Sequence, residues 1–318
     1  MNGVVIIDKP ADKTSHDVVS EVKKILGAKK AGHTGTLDPM ATGVLPVCLN
    51  EATKLAGFLS GEDKEYLATM LLGVKTDTMD IEGKIIARSD KIASEKEIQL
   101  LMSTMTGRKK QVPPAYSAVK HQGKPLYKWA RKGIFPEIPM REIEIFDMNI
   151  ENIASNYVTF QVTCSKGTYI RTLCSDIGEK LGCGACLSSL RRLRSGFFSE
   201  EMAISLINDK KGNPSYTSKK EELIKNLLPM EKLMPSWKVI EVEENFADKL
   251  RNGTQPSVAM MKAHVLPFLD QGDMIKFTNN KGKLIALAEV TVAMDKIACL
   301  DDKLPAAKII RVFNNINN

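Results

Sequence analysis

One carboxylate of the chain stands in a loop with a constrained backbone. Asp38 lies within the run Gly32-His-Thr-Gly-Thr-Leu-Asp-Pro-Met-Ala-Thr-Gly43, where glycines permit tight turns and Pro39 keeps Asp38 out of the helical region. Apolar neighbours would partly desolvate this side chain, which is the environment of a nucleophile or a general base. The alternative is an Asp-Pro turn without a catalytic role, and residue types alone favour that alternative.

A second candidate site is strongly basic. Between Arg108 and Lys132 the chain has eight Lys or Arg residues and no acidic residue, a charge of +8 where the whole chain carries +7. Tyr116, Tyr127 and Trp129 are interleaved with these charges, and their flat faces can stack on bases. A solvated, lysine-rich hairpin explains the charge equally well. The aromatic residues favour a polyanionic partner, in the first place a nucleic acid.

Two further segments place cations near predicted element ends. Lys166-Gly167-Thr168 is typical of a strand end that turns into a helix, where a phosphate can bind. Arg171 lies one turn further and can pair with a carboxylate or a phosphate. The run from Leu190 to Arg194 contains three arginines, which face either RNA or water.

Hydrophobic periodicity predicts the elements that must position these residues. Strands cluster between helices without a regular βαβ alternation, which predicts an α+β fold with a mixed or antiparallel sheet. The predicted elements are a strand at 3–7, a helix capped by Ser15 and ending at Gly27, a strand at 66–74, a helix begun by the Ser94/Glu97 capping box, paired strands at 141–150 and 156–164, and a helix at 168–181. Short strands after Pro235 predict a second domain, so we expect domains at 1–235 and 236–318.

Composition limits the class of protein. The 318 residues are 43% hydrophobic and 26% charged, which excludes collagen-like, disordered and disulfide-scaffold proteins. The longest aliphatic run, Val4 to Ile7, is far shorter than the ~20 residues of a membrane helix, and no signal-peptide pattern is seen. Six cysteines without framework spacing indicate a reducing compartment, and the lone CxxC at Cys183–Cys186 does not predict a metal site. We therefore expect a cytoplasmic protein.

Five stretches, in the same order along the chain, resemble the bacterial TruB family of tRNA pseudouridine synthases. They are Asp8-Lys-Pro10 with Thr14-Ser15; Gly32 to Lys54; Pro113 to Lys120 with Leu126-Tyr127; Ser165 to Thr172 with Gly182 to Arg192; and Leu250 to Gly253 with Gly272-Asp273 and Ile309 to Phe313. The last stretch is similar to a PUA domain. Asp12, Met40 and Asn50 replace residues that are commonly glycine, leucine and glycine in the family, and none of these changes removes a group that the chemistry needs.

The resemblance implies a fold and an activity. It implies a pseudouridine synthase domain at 1–235 with an RNA-binding insertion at about 108–133, followed by a PUA-like RNA-binding domain at 236–318. The implied reaction isomerises uridine 55 in the T loop of tRNA to pseudouridine, without a metal or an organic cofactor. A monomer without an obligate protein partner is expected. An RNA chaperone that folds the T loop remains an alternative or additional role, and a synthase that works in a guide-RNA complex is less favoured.

The resemblance also implies roles for particular residues. Asp38 corresponds to the catalytic carboxylate, Tyr66 to the tyrosine that stacks on the base, and Arg171 to the arginine that lowers the carboxylate's pKa. Family positions that line the pocket or the RNA fall on Lys9, His33, Lys166, Tyr169 and Leu190. His33 is expected to pack against the RNA loop and not to act as a general base. Basic side chains expected to contact RNA phosphates are Lys109, Lys110, Lys120 and Arg191.

Overall fold

The computed structural model describes residues 1–91, 93–206, 216–264, 266–293, 297 and 299–314. The helices among these residues are α1 (Ser15–Leu26), α2 (Ala56–Leu59), α3 (Glu95–Ser103), α4 (Leu126–Ala130), α5 (Ile170–Lys180), α6 (Tyr216–Lys225), α7 (Glu244–Arg251) and α8 (Val258–Lys262). The strands are β1 (Gly3–Lys9), β2 (Ala31–His33), β3 (Thr42–Leu49), β4 (Lys64–Leu72), β5 (Val74–Thr76), β6 (Ile85–Arg88), β7 (Gly107–Gln111), β8 (Lys120–His121), β9 (Lys124–Pro125), β10 (Arg141–Ala154), β11 (Tyr157–Cys164), β12 (Ala185–Ser195), β13 (Phe198–Ser199), β14 (Ile204–Ser205), β15 (Lys238–Val242), β16 (Met274–Asn279), β17 (Leu284–Val290) and β18 (Ala307–Val312).

A ten-stranded sheet forms the centre of the molecule. Its main path runs β14-β1-β3-β12-β4-β11-β10-β7, while β2 pairs with β3 and β13 pairs with β12. Strands β3 and β12 are parallel, as are β1 and β14, whereas the other pairs along the path are antiparallel. The predicted α+β class with a mixed sheet is therefore confirmed.

Most elements predicted from periodicity are present, although several bounds differ. The strand predicted at 66–74 is divided into β4 and β5, the strand predicted at 141–150 extends to Ala154, and the helix predicted at 168–181 begins at Ile170. The start of α1 differs as well. The N-cap of this helix is Thr14, which forms a capping box with Asp17, so the predicted cap at Ser15 is wrong by one residue. Ser15 is buried, and its hydroxyl accepts a hydrogen bond from the Leu37 backbone at 2.8 Å. The serine therefore anchors the segment that carries Asp38.

The central sheet is covered on both faces. Along β1, Val5 and Ile7 pack into a core formed with α1, α3 and α5, whereas Val4 and Ile6 point to the opposite face. That second face packs against residues of the C-terminal segment, including Phe313. Burial on both faces explains why β1 reads as a continuous apolar run.

The C-terminal segment forms a separate sheet with a core of its own. Its strands follow the order β15-β16-β17-β18, and α7 and α8 pack against them. Lys276 of β16 is buried and donates hydrogen bonds to the backbone oxygens of Glu231 (3.2 Å) and Leu233 (3.0 Å). This segment is therefore tied to the chain that precedes it, and the division between 235 and 236 stays a prediction.

In the described part of the chain, no helix has the length and apolar character needed to span a bilayer.

Candidate active site

The loop that carries Asp38 connects β2 to β3 and is held at both ends. Before Asp38, the backbone of Leu37 is bonded to the Ser15 hydroxyl at the start of α1. After it, the oxygen of Pro39 accepts a hydrogen bond from the Lys9 ammonium at 2.9 Å. The backbone on both sides of Asp38 is thus held by β1 and α1, the first two elements of the chain.

Arg171 holds the Asp38 carboxylate from the opposite side. It is the second residue of α5, and its Nη2 donates a hydrogen bond to Asp38 Oδ1 at 3.0 Å. Its Nε lies 2.9 Å from Asp38 Oδ2 as an ion-pair contact, although the N–H is not directed along that line. The arginine side chain is 5% exposed and the aspartate side chain 31% exposed. Asp38 is therefore the member of the pair that a substrate can reach.

A second carboxylate completes the surroundings of Arg171. Asp80 Oδ2 lies 3.4 Å from Arg171 Nη1, and the backbone oxygens of Thr78 and Tyr116 accept hydrogen bonds from the same guanidinium at 3.1 and 2.8 Å. Asp80 is itself held by the Thr78 hydroxyl at 2.6 Å. Asp80 was not predicted from the sequence, although the polar run Thr76-Asp-Thr-Met-Asp80 between two strand-like segments was a usable signal.

The ionisation of Asp38 reflects opposing influences. Burial raises the pKa of Asp38, the Arg171 guanidinium opposes that rise, and the Asp80 carboxylate reinforces it. The expectation that Arg171 lowers the pKa is correct for its own contribution, but the net pKa of Asp38 is raised because desolvation is the larger effect. Burial also lowers the pKa of Lys9 to about 8, although Asp38 and Asp12 oppose this.

The central sheet contributes two of the predicted site residues. Tyr66 on β4 and Leu190 on β12 are both buried, and they belong to the core on the same face of the sheet as α5. Burial raises the pKa of the Tyr66 phenol, so the hydroxyl stays protonated at neutral pH. Arg192, two residues beyond Leu190, is buried next to Tyr66. It was not predicted as a site residue, unlike its neighbour Arg191.

His33 is the last residue of β2, and Tyr169 is the N-cap residue of α5. His33 is half-buried, and burial together with the positive charge of Arg192 lowers its pKa, so the imidazole is neutral at pH 7. Tyr169 precedes α5; its backbone N–H donates to the Gln111 side chain at 2.8 Å, and burial raises its phenol pKa. Lys166 is exposed on the preceding turn.

The predicted RNA-contacting cations lie in different surroundings. Lys110 and Lys120 are exposed, whereas Lys109 is half-buried with its Nζ 3.4 Å from the Thr104 oxygen. Arg191 pairs with Asp8 at 3.0 Å and with Glu200 at 3.1 Å, so its charge is balanced within the protein. The basic segment itself is anchored where β7 pairs with β10 at the sheet edge.

Comparison with known proteins assigns the chain to a family. Residues 23–170 match the model of the TruB family pseudouridylate synthase N-terminal domain, and residues 171–235 match that of the tRNA pseudouridylate synthase B C-terminal domain. A protein named tRNA pseudouridine synthase B from Syntrophus aciditrophicus is 50% identical over 317 residues, 99% of each chain. The chain belongs to the TruB family. A second relative of the same name, from Clostridium tetani, is 42% identical over 94% of this chain and 99% of its own.

Solved structures agree with this TruB assignment. The Cbf5 chain of a Cbf5-Nop10-Gar1 complex is similar with a TM-score of 0.71 and 30% identity, covering 98% of this chain and 85% of the other. An archaeal box H/ACA sRNP Nop10-Cbf5 complex gives a TM-score of 0.72 and 28% identity, covering 99% of this chain and 87% of the other. The similarity spans both sheets, so the whole architecture is shared.

Proposed function

We propose that the protein isomerises uridine 55 in the T loop of tRNA to pseudouridine, with Asp38 as the catalytic carboxylate. The observation that carries the proposal is the pairing of a partly exposed Asp38 with a buried Arg171, which holds the carboxylate in one orientation. Full-length relatives named tRNA pseudouridine synthase B support the substrate and the reaction.

The reaction needs a base that has left its stack. Extruding a uridine from a folded loop costs a few kcal/mol, and stacking on an aromatic ring returns on the order of 1–3 kcal/mol per base. Tyr66 is proposed as that ring, with Leu190 and Tyr169 as further walls of the pocket. Asp38 acts as the ionised carboxylate. The N1–C1′ glycosidic bond breaks, the C5–C1′ bond forms, C5 loses its proton to solvent and N1 gains one, so the product is an isomer of the substrate. No metal or organic cofactor is part of the proposal.

The remaining assignments concern RNA binding and organisation. The insertion at 108–133, with Lys109, Lys110 and Lys120, is proposed to contact phosphates, as is Arg191. Lys9, His33 and Lys166 are proposed to line the pocket or the RNA, with His33 packing against the RNA loop. The segment 236–318 is proposed as a PUA-like RNA-binding domain that follows a catalytic domain at 1–235. We further propose that the protein acts alone, as a cytoplasmic monomer.

The test is tritium release from tRNA transcripts labelled at uridine C5. Wild type and Asp38→Asn are compared, together with a transcript that lacks the T-loop uridine. Release by wild type only, and from the intact transcript only, supports the reaction, the residue and the position. Release by Asp38→Asn contradicts the role of Asp38. Tight tRNA binding by wild type without release contradicts the enzyme assignment and favours an RNA-binding role.

A further inference from the structure

Arg192 is the bulkiest of the fully buried side chains in the described part of the chain, with 1% of its surface exposed. No carboxylate of the described residues lies within ion-pair distance of it, and burial lowers its pKa. A buried guanidinium without a counter-ion is costly, and it is tolerated only where good acceptors satisfy its N–H groups. The positions of the hydrogen-bond acceptors of Arg192 therefore indicate which segments of the chain its side chain holds together.

The acceptors of Arg192 lie on the two sides of Asp38 along the chain. Its Nη2 donates to the oxygen of Gly35 at 3.1 Å, before Asp38, and its Nε donates to the oxygen of Val44 at 2.7 Å, where β3 begins. One planar guanidinium thus joins the beginning of the Asp38 loop to the strand that follows it. A fork with fixed geometry restrains both points at once.

The sheet register places the same arginine against Tyr66. On β12, Arg192 lies opposite Gly43 of β3 on one side and Tyr66 of β4 on the other. Directly opposed residues of an antiparallel pair point to the same face, so the guanidinium and the phenol ring share one face. The positive charge of Arg192 opposes the rise that burial causes in the Tyr66 pKa.

The glycine at position 43 makes this arrangement possible. A Cβ at Gly43 would lie 2.2 Å from the Arg192 backbone oxygen, and Gly43 has φ +98°, a conformation that side chains rarely adopt. With no side chain at Gly43, the backbones of β3 and β12 can approach closely at Arg192, the residue whose guanidinium holds the Asp38 loop.

We propose that Arg192 is a positioning residue, which fixes the distance between the Asp38 carboxylate and the Tyr66 ring by joining the loop backbone to the sheet. The inference rests on the proposed function, in which Asp38 and Tyr66 meet the same uridine. Reaction rates depend steeply on such distances, and a displacement of about 1 Å can reduce a rate by about 100-fold. Lysine keeps the charge of arginine but cannot hold two separate carbonyls with a planar fork.

The test compares Arg192→Lys with wild type in single-turnover pseudouridine formation, with enzyme in saturating excess over tRNA. We expect a rate reduced by about 10- to 100-fold with little change in tRNA affinity, because geometry changes while the RNA-contacting surface does not. Arg194→Lys is the matched control: it is on the same strand, pairs with Glu65 at 3.0 Å, and is expected to keep the wild-type rate. A wild-type rate for Arg192→Lys would overturn the proposal, as would a loss confined to tRNA affinity.

A second variant covers the case in which Arg192→Lys does not fold. Arg192→Met fills a similar volume without a buried charge, so it removes the hydrogen bonds to the Gly35 and Val44 oxygens and also the cost of burying an unpaired cation. A reduced rate with unchanged tRNA affinity supports the proposal, and a wild-type rate overturns it. If wild type itself forms no pseudouridine, the proposed function has failed, which is a distinct result from an active enzyme that is insensitive to both substitutions.

Discussion

At the scale of single residues, the charges around Asp38 set the pH at which it can act. Asp38 must be ionised, and its pKa is raised by burial and by the Asp80 carboxylate, so the rate falls as pH decreases through a pKa above the usual value of about 3.9. Asp80→Asn removes one of the two influences that raise this pKa. We therefore expect the acidic limb of the pH–rate profile of pseudouridine formation to move to lower pH in this variant.

The control for this prediction lies in the same loop. Asp77→Asn keeps an oxygen that can accept the Lys84 backbone N–H, now bonded at 2.8 Å, and Asp77 is not among the groups that shift the Asp38 pKa. The acidic limb of the pH–rate profile of Asp77→Asn is therefore expected to coincide with that of wild type. An Asp80→Asn limb that stays in place or moves to higher pH would contradict the electrostatic account.

Lys9 gives a second prediction at the residue scale. Its pKa falls from 10.5 to about 8 on burial, so the protonated folded state is disfavoured by about 3 kcal/mol below pH 8, and this penalty disappears as pH rises towards 10.5. Lys9→Met has no such penalty. The unfolding free energy of wild type relative to Lys9→Met should therefore rise by about 2 kcal/mol between pH 7 and pH 10, as measured by chemical denaturation. A difference that does not change with pH would show that Lys9 titrates normally.

Individual site residues were predictable to different degrees. Asp38 stood out because glycines and Pro39 constrain its loop, and Arg171 because it follows a strand-to-helix turn. Arg192 could not be chosen over Arg191, since neighbouring strand residues face opposite sides and only the pairing of β12 with β3 and β4 decides which side is buried. The contact of Arg171 with Asp80 joins segments far apart in sequence, which no local pattern reveals.

At the scale of elements, the basic insertion is expected to determine the salt dependence of tRNA binding. Replacing Lys109, Lys110 and Lys120 with alanine should weaken binding and reduce the slope of log affinity against log salt by up to ~0.9 per lost phosphate contact. The exposed pair Lys220 and Lys225 of α6 provides a control for loss of charge alone. An unchanged slope in the insertion variant would show that these lysines do not touch phosphate.

The junction of β3 and β12 gives a prediction about stability. Gly43→Ala forces a Cβ to within 2.2 Å of the Arg192 backbone oxygen at a positive φ, so we expect a loss of about 3 kcal/mol in unfolding free energy. Gly57→Ala, where the added Cβ meets nothing within 4 Å, should stay close to wild type. Equal denaturation midpoints for the two variants would contradict this account.

Individual helices and strands were easier to predict from the sequence than the pairing between strands. The apolar spacing of α1 and the Ser94/Glu97 capping box identified two helices, because those signals are local. The pairing of β12 with β3 and β4 depends on burial of both faces and on Gly43, so it could not be read from periodicity. The N-cap of α1 is Thr14 and not Ser15, since the Ser15 hydroxyl is hydrogen-bonded to the backbone of Leu37.

At the scale of the whole molecule, the C-terminal sheet packs against one face of the central sheet. The domain boundary predicted at 235/236 rests on a change in the local sequence pattern. In the structure, Val4 and Ile6 of β1 share a core with Leu287 and Phe313 of the C-terminal segment. Lys54 adds to this junction, because its Nζ donates to the Val312 oxygen at 3.0 Å and lies 5.7 Å from the Phe313 ring centre. Removal of the C-terminal segment would expose an apolar face of the sheet that carries the site. The coupling between the two sheets is therefore better tested in the full chain.

Phe313→Ala tests this coupling directly. Phe313 is fully buried, and truncation of such a side chain costs about 3–5 kcal/mol. Because Phe313 belongs to the same buried cluster as Val4 and Ile6 of β1, we expect the backbone amides of Val4 and Ile6 to exchange hydrogen faster in the variant, together with those of β17 and β18. Phe268→Ala, at a side chain that is 72% exposed, should leave both sets of amides unchanged. Faster exchange confined to the C-terminal strands would mean that the two sheets unfold independently, and that the site does not depend on the C-terminal sheet for stability.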